Sequence, residues 1–156
     1  MSRNQTIVEY PSDREIVFTR RFDAPRELVW AAWTDPRQVV LWWGPRGFTT
    51  TIHEMDVRAR GVWRLTMHGP EGIDYPNRIE FIEVMKPERL VFHHGDDSNP
   101  QMFHVTTAFI AEGVRTKPVS RMRFKTPEEC AETKKFALDG HNSTMDRLTA
   151  LLAKAA

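Results

Sequence analysis

Alternating apolar and polar residues mark the middle of the chain. Trp63, Leu65 and Met67 alternate with polar neighbours, which is the period of a strand with one buried face and one wet face. The same alternation returns around Phe103 and Phe109. Between breaks rich in Gly and Pro, this pattern predicts seven strands, at residues 14–22, 49–57, 62–68, 78–85, 90–95, 102–111 and 114–125.

Helical spacing occurs in two places. After the first strand, Pro25 starts a short helix and Asp35-Pro36 starts a second one over residues 36–43, because an Asp N-cap followed by Pro favours a first turn. Thr126-Pro127 starts a long C-terminal helix in the same way, and an apolar stripe at helical spacing follows it.

The order of these elements predicts an α+β fold. The links between the last six strands are too short for crossover helices, so we expect a curved, seven-stranded antiparallel sheet. The two short helices follow strand 1, and the long C-terminal helix covers the sheet. We expect residues 1–13 to be a flexible N-terminus and residues 14–156 to form a single domain, as the length of 156 residues suggests.

Composition and charge narrow the function classes. The net charge of +1 gives no case for nucleic acid or an anionic membrane, and no apolar run approaches the ~20 residues of a membrane span. The N-terminus has no apolar signal segment, so we expect a cytoplasmic location. No phosphate-binding glycine loop and no metal-ligand spacing among the six histidines is present, so we predict neither cofactor nor metal.

The chain resembles a known family over about residues 14–153. The resemblance rests on the segments Arg21-Phe22-Asp23-Ala24-Pro25, Val29-Trp30, Trp33-Thr34-Asp35-Pro36, Trp42-Trp43-Gly44-Pro45, Gly47-Phe48, Asp56-Val57-Arg58, Gly61-Val62-Trp63-Arg64, Gly69-Pro70-Glu71-Gly72 and Pro87-Glu88-Arg89-Leu90. In their order and spacing these are similar to the START-like (SRPBCC, helix-grip) superfamily, in the branch named for the activator of the heat-shock chaperone ATPase.

The resemblance implies a deep, mostly apolar cavity between the sheet and the long helix. Relatives mainly bind hydrophobic small molecules, some are cyclases or dehydratases, and others assist chaperones. The chain departs from the family at Arg60, where a Gly is usual, and at His141, where a Trp is usual. The His141 change places a titratable group on the helix face nearest the implied cavity.

Ligand-binding residues are predicted from the aromatic and methionine content of the sheet face and the long helix. They are Trp42, Trp43, Phe48, Trp63, Leu65, Met67, Phe81, Phe92, His94, Phe103, Val105, Met122, Phe136, His141 and Met145. Trp42, Trp43 and Phe48 are expected at the cavity entrance. We therefore prefer a non-catalytic module that binds a hydrophobic or aromatic small molecule.

Two alternatives stay open. A cyclase or dehydratase would use a pocket histidine, His94 or His141, as its base, with His104 a further candidate. Its partners would come from Glu54, Asp56 and Arg64. A chaperone partner is the second alternative, which rests on the family name alone. A homodimer is also compatible with the sequence.

Overall fold

The structure, a computed structural model, describes residues 6–155 and consists of eight strands and three helices in that range. In chain order they are β1 (Ile7–Glu9), β2 (Glu15–Thr19), α1 (Arg26–Thr34), α2 (Pro36–Trp42), β3 (Thr49–Met55), β4 (Val62–His68), β5 (Asp74–Met85), β6 (Arg89–Gly95), β7 (Phe103–Glu112), β8 (Arg115–Phe124) and α3 (Pro127–Ala155). The predicted α+β class and the order of the elements are confirmed.

All strands join one antiparallel sheet in the order β1-β2-β8-β7-β6-β5-β4-β3. The predicted count of seven is wrong, because β1 adds an eighth strand. This strand has three residues and pairs only with β2, with Val8 opposite Phe18. Three residues are too few for an alternation to stand out. Residues 1–5 of the predicted flexible N-terminus lie outside the described residues.

Two register shifts curve the sheet. One lies between Ile52 and Glu54 on β3, and the other between Phe81 and Glu83 on β5. An extra residue on one strand bends it and increases its twist. The turn before β4 is tight, since a Cβ at Gly61 would lie 2.0 Å from the backbone oxygen of Asp56.

The α1–α2 pair forms a tryptophan-rich cover over one end of the sheet. Asp35 caps α2 by accepting a hydrogen bond from the backbone N–H of Arg37 at 3.0 Å, and Pro36 follows at the first helical position. Trp42 is fully buried, and its indole N–H donates to the carbonyl of Ala32 at 2.9 Å. The hydrogen bond satisfies the only polar atom of this side chain.

Helix α3 crosses the sheet and is fixed through its C-terminal half. Arg20, which directly follows β2, donates to Asn142, Asp146 and Thr149 at 2.7–3.1 Å. Arg147 donates to backbone carbonyls at the end of α2, with the shortest bond, 2.8 Å, to Gly44. These contacts hold the C-terminal half of the helix over the sheet.

No helix among residues 6–155 combines the length and the apolar character needed to cross a lipid bilayer.

Candidate ligand cavity

A cavity of about 640 Å³ lies between the curved sheet and α3. That volume is within the range of small-molecule sites. Its lining is mostly aromatic and aliphatic. The lining residues are Phe18, Trp33, Trp42, Trp43, Gly44, Pro45, Met67, Phe92, His94, Phe103, Val105, Thr107, Ser120, Met122, Glu132, Thr133, Phe136, Ala137, Gly140, His141, Thr144 and Met145.

Strand register arranges the floor of the cavity in rows that run across the sheet. The central row is apolar, with Phe92 opposite Val105 and Val105 opposite Met122. On one side of it lies the row of His94 and Phe103. A polar side chain, His94, therefore lies on the cavity floor on this side of the apolar row.

The row on the other side is partly polar. Thr107 lies opposite Ser120, and Ser120 lies opposite Phe18 on β2. The hydroxyl groups of Thr107 and Ser120 are 2.9 Å apart and share a hydrogen bond. This row brings two hydroxyls and one aromatic ring together on the cavity floor.

Helix α3 supplies the roof through residues three and four apart, which share one face of a helix. Thr133, Ala137, Gly140 and Thr144 follow that spacing and line the cavity. Phe136 lines it too, although 73% of its surface is exposed. Its ring therefore lies at the opening of the cavity.

The lining includes most of the residues predicted from the sequence. Those that line the cavity are Trp42, Trp43, Met67, Phe92, His94, Phe103, Val105, Met122, Phe136, His141 and Met145. Both adjacent tryptophans of α2 reach it, one fully buried and the other partly so.

Four predicted residues lie elsewhere. Trp63, Leu65 and Phe81 are on the buried face of the sheet but under the α1–α2 cover, where Trp43 packs on Trp63 with ring centroids 4.7 Å apart. Phe48 contacts Tyr75 at 6.0 Å between ring centroids and does not belong to the lining. The part of the sheet that the short helices cover was not predicted from the sequence.

Sequence reasoning also missed lining residues. The residues Phe18, Trp33, Thr107 and Ser120 line the cavity but were not among the predicted ligand-binding residues. The alternation of β7 does place Thr107 on the same face as Phe103 and Val105, which was a usable signal. The polar residues of α3, such as Glu132 and Thr133, carried no signal of this kind.

His94 is held in one orientation by Asn77. Its Nε2 is 2.7 Å from Oδ1 of Asn77, and the amide nitrogen of Asn77 donates to the carbonyl of Tyr75 at 2.9 Å. The Asn77 oxygen is therefore an acceptor, and Nε2 of His94 carries the hydrogen. Burial lowers the pKa of His94 to about 4, so the ring is neutral near pH 7.

His141 is held by stacking. Its ring lies on Phe18 with 3.9 Å between centroids and 14° between planes. Burial and, secondarily, the nearby charge of Arg20 lower its pKa to about 3. Among residues 6–155 neither ring nitrogen of His141 has a hydrogen-bond partner. A neutral imidazole thus offers the cavity one donor and one acceptor.

The third candidate histidine lies on the other face of the sheet. His104 pairs with His93, with ring centroids 5.4 Å apart. Burial, His93 and Arg123 together lower the pKa of His104.

The predicted acid–base partners are also outside the cavity. Arg64 contacts Glu54 at 3.4 Å and Asp97 at 3.1 Å, and all three side chains are substantially exposed. Asp56 pairs with Arg58 at 2.6 Å in the exposed turn before β4. Neither set converges on His94 or His141. Within the described range, no three side chains of the His, Cys, Asp and Glu types lie close enough together to hold a metal ion.

Among the described residues, one acidic side chain lines the cavity, and it is at the opening. Glu132 has a side chain that is 71% exposed and pairs with Lys135 at 3.1 Å. The rest of the lining consists of apolar residues, hydroxyls and two neutral histidines. The interior wall is therefore uncharged near pH 7.

Solved structures share this fold. Protein Ms6760 from Mycobacterium smegmatis aligns with a TM-score of 0.87 at 24% identity, over 97% of this chain and 99% of that one. A protein from Rhodobacter sphaeroides aligns with a TM-score of 0.88 at 22% identity, over 97% and 100% of the two chains. The AHSA1 protein from Silicibacter pomeroyi gives 0.74 at 23% identity, over 91% and 99%. At these identities the likeness shows the fold.

The sequence itself shows the family. No curated protein matches the chain. A family model does match, over residues 23–153, and its description is activator of Hsp90 ATPase homolog 1-like protein. This range covers the whole of the α1–α2 cover, the sheet from β3 onward and nearly all of α3. The chain therefore belongs to the family of activator of Hsp90 ATPase homolog 1-like proteins.

Proposed function

We propose that the protein binds a hydrophobic or aromatic small molecule in the cavity beneath α3 and does not transform it. One observation carries this proposal: the cavity of about 640 Å³ has an aromatic and aliphatic wall interrupted by a few neutral polar groups. Sites for small molecules have this composition, in which apolar surface supplies affinity and a few polar groups fix orientation.

The arrangement of charges argues for binding rather than acid–base chemistry. A histidine base works best with a pKa near the operating pH, and His94 and His141 both have lowered pKa values, about 4 and about 3. Their predicted partners lie on the outer face of the sheet or in the exposed turn before β4. No specific observation favours the cyclase alternative, and the chaperone and homodimer alternatives remain predictions from the sequence.

Occupancy of the cavity can be tested with an uncharged, environment-sensitive dye such as N-phenyl-1-naphthylamine. Trp33, Trp42 and Trp43 line the cavity, so a bound dye should quench their fluorescence and show saturable binding. Native mass spectrometry of the purified protein would show whether a small molecule is retained.

A cavity-filling variant makes the test specific. Gly140 lines the cavity, and a Cβ added there meets no atom within 4 Å. We expect Gly140→Phe to weaken dye binding at least about tenfold by occupying the space, whereas Gly140→Ala leaves binding within about twofold of the wild type. Circular dichroism would confirm that both variants fold. Equal dye binding by folded Gly140→Phe, or no saturable binding by the wild type, would contradict the proposal.

A further inference from the structure

The polar groups of the cavity floor are separated along the strands. His94 pairs with Phe103, whereas the hydroxyl pair involves Thr107, four residues further along β7. At a strand rise of about 3.3 Å per residue, four residues span about 13 Å. The apolar row of Phe92 and Val105 lies between them. The floor thus has two polar ends and an apolar middle.

The two ends differ in what they offer. Nε2 of His94 donates to Asn77, so Nδ1 is left as an acceptor, and it has no partner within residues 6–155. The ring lines the cavity. This end of the floor therefore suits a ligand group that donates a hydrogen bond.

The opposite end suits a ligand group that accepts one. Thr107 and Ser120 share a single hydrogen bond, which uses one of their two hydroxyl hydrogens. The other hydroxyl hydrogen has no acceptor among the described residues. Phe18, opposite Ser120, carries the stacked ring of His141, which adds a neutral donor and acceptor beside the hydroxyls.

Charge on the ligand would be unfavourable. An ion transferred into an apolar site needs a paired charge, and the only charged side chain in the described lining, Glu132, points to solvent beside Lys135. Arg20 lies nearby but is not part of the lining, and its two terminal nitrogens are already bonded to Thr6 and to residues of α3. A carboxylate or ammonium ligand would therefore have no counter-charge in the interior.

We propose that the cavity selects an elongated, uncharged ligand that donates a hydrogen bond to Nδ1 of His94 at one end and accepts one from the Thr107–Ser120 hydroxyl pair at the other. The inference rests on the proposed function and names the class of ligand: a rigid, largely aromatic molecule with a hydroxyl or N–H donor at one end and an oxygen acceptor at the other.

Substituted trans-stilbenes test this class, because they are rigid and carry their 4 and 4′ groups at opposite ends. The series is 4,4′-dihydroxystilbene, 4-hydroxy-4′-methoxystilbene, 4,4′-dimethoxystilbene and 4-hydroxystilbene-4′-carboxylate, titrated against tryptophan fluorescence at pH 7.5. The first two satisfy both ends and should bind alike. The dimethoxy compound lacks a donor and should bind about 3- to 10-fold more weakly, as the loss of one hydrogen bond implies. The carboxylate should bind more than about tenfold more weakly.

Variants assign these differences to the two ends. His94→Phe should make the hydroxy-methoxy and dimethoxy compounds bind equally, whereas His104→Phe, on the opposite face of the sheet, should keep their difference. Should His94→Phe fail to fold, Asn77→Leu replaces it: without its fixed partner the His94 ring can present either nitrogen, and the preference should shrink. The wild type should also bind 4-hydroxy-4′-methoxystilbene more tightly than 4-hydroxystilbene, which lacks the 4′ oxygen. Ser120→Ala combined with Thr107→Val should remove that difference.

The outcomes separate this inference from the proposed function. Equal affinity for the hydroxy-methoxy and dimethoxy compounds in the wild type, or a preference that survives His94→Phe, would overturn the inference while saturable, Gly140→Phe-sensitive binding would still support a binding cavity. Tight binding of the carboxylate would also overturn it. If the dye binds saturably but no stilbene does, the inference fails alone, and if neither binds, both fail.

Discussion

The imidazole of His141 on α3 lies flat on the phenyl ring of Phe18 on β2, with 3.9 Å between ring centroids and 14° between ring planes. This stack joins the helix to the sheet at one end of the cavity. It also removes the imidazole from water, and Arg20 is close enough to oppose its protonation further. The contact is therefore favourable only while His141 is neutral.

Stability should for this reason fall as the pH falls. The pKa of His141 is about 3 in the folded state and about 6.5 in an unfolded chain. Between these values the unfolded state binds the proton and the folded state does not, so the stabilisation is complete above pH 6.5 and is lost toward pH 3. The slope is at most about 1.4 kcal/mol per pH unit for this group.

The variant His141→Phe keeps an aromatic ring on Phe18 and cannot be protonated. Urea unfolding at pH 7.5, 6.5, 5.5 and 4.5 should show a smaller loss of stability in the variant, by up to about 1.4 kcal/mol per pH unit below 6.5. His94, with its pKa lowered to about 4, should account for part of the dependence that remains. Identical slopes for wild type and variant would contradict this explanation.

The main architecture could be predicted from the sequence because the signals for its helices and strands are local. The Asp35-Pro36 start of α2 and the alternation of β4 and β7 depend on residues close together in the chain, and both are present in the structure. The strand β1 was missed because three residues are too few to show an alternating pattern, and only their pairing with β2 identifies them as a strand.

The cavity could be predicted only in part, because its lining depends on which elements cover which part of the sheet. Trp63 and Phe92 share a buried face, yet Trp43 covers the first and the cavity opens over the second. Such positions are determined by tertiary contacts.

Arg20 should be a main contributor to stability. Its side chain is 4% exposed and bonds to Asp146 at 2.7 Å and to Asn142 at 3.0 Å. Arg20→Met should lower the free energy of unfolding by about 2–3 kcal/mol, less than for a fully buried pair because Asp146 is 47% exposed. Thermal unfolding would then shift down by roughly 5–10 °C.

The neighbouring residue provides a matched control. Arg21 pairs with Glu112 at 2.8 Å, but its side chain is 36% exposed. Arg21→Met should cost no more than about 1 kcal/mol, as is usual for exposed pairs. A similar loss from both substitutions would show that burial of Arg20 is not the cause.

Arg147 should position the cavity rim. Its guanidinium donates to the carbonyls of Gly44 at 2.8 Å and of Trp43 and Pro45 at 3.3 Å, and all three residues line the cavity. Arg147→Met should lower stability by about 1–3 kcal/mol and weaken dye binding, because the rim loses its anchor and the end of α2 its positive charge. Arg147→Lys should recover only part of both effects, since one ammonium cannot reach all these carbonyls. Unchanged dye affinity in Arg147→Met would show that the rim holds its shape without the anchor.

Arg60 occupies a backbone conformation that favours glycine. Its φ is 70°, and its N–H donates to the carbonyl of Phe81 at 2.7 Å, so the conformation is tied to the sheet. A side chain in the left-handed region costs roughly 1–2 kcal/mol, while glycine adds back some entropy to the unfolded chain. Arg60→Gly should therefore stabilise the protein by about 0.5–1 kcal/mol, measured by urea unfolding. A loss of stability would show that contacts of the Arg60 side chain outweigh the strain.

Gly140 presents the opposite case, because it lies within a helix where no close contact requires a glycine. It lies in the interior of α3, and a Cβ added there meets no atom within 4 Å. Alanine is favoured over glycine in helices by about 1 kcal/mol, so Gly140→Ala should raise the free energy of unfolding by about 0.5–1 kcal/mol. The same substitution at Gly61 is a control of opposite sign, because its Cβ would lie 2.0 Å from a carbonyl oxygen and should destabilise the protein by more than about 2 kcal/mol. A decrease in stability for Gly140→Ala would indicate that the glycine allows the helix a local distortion over the cavity.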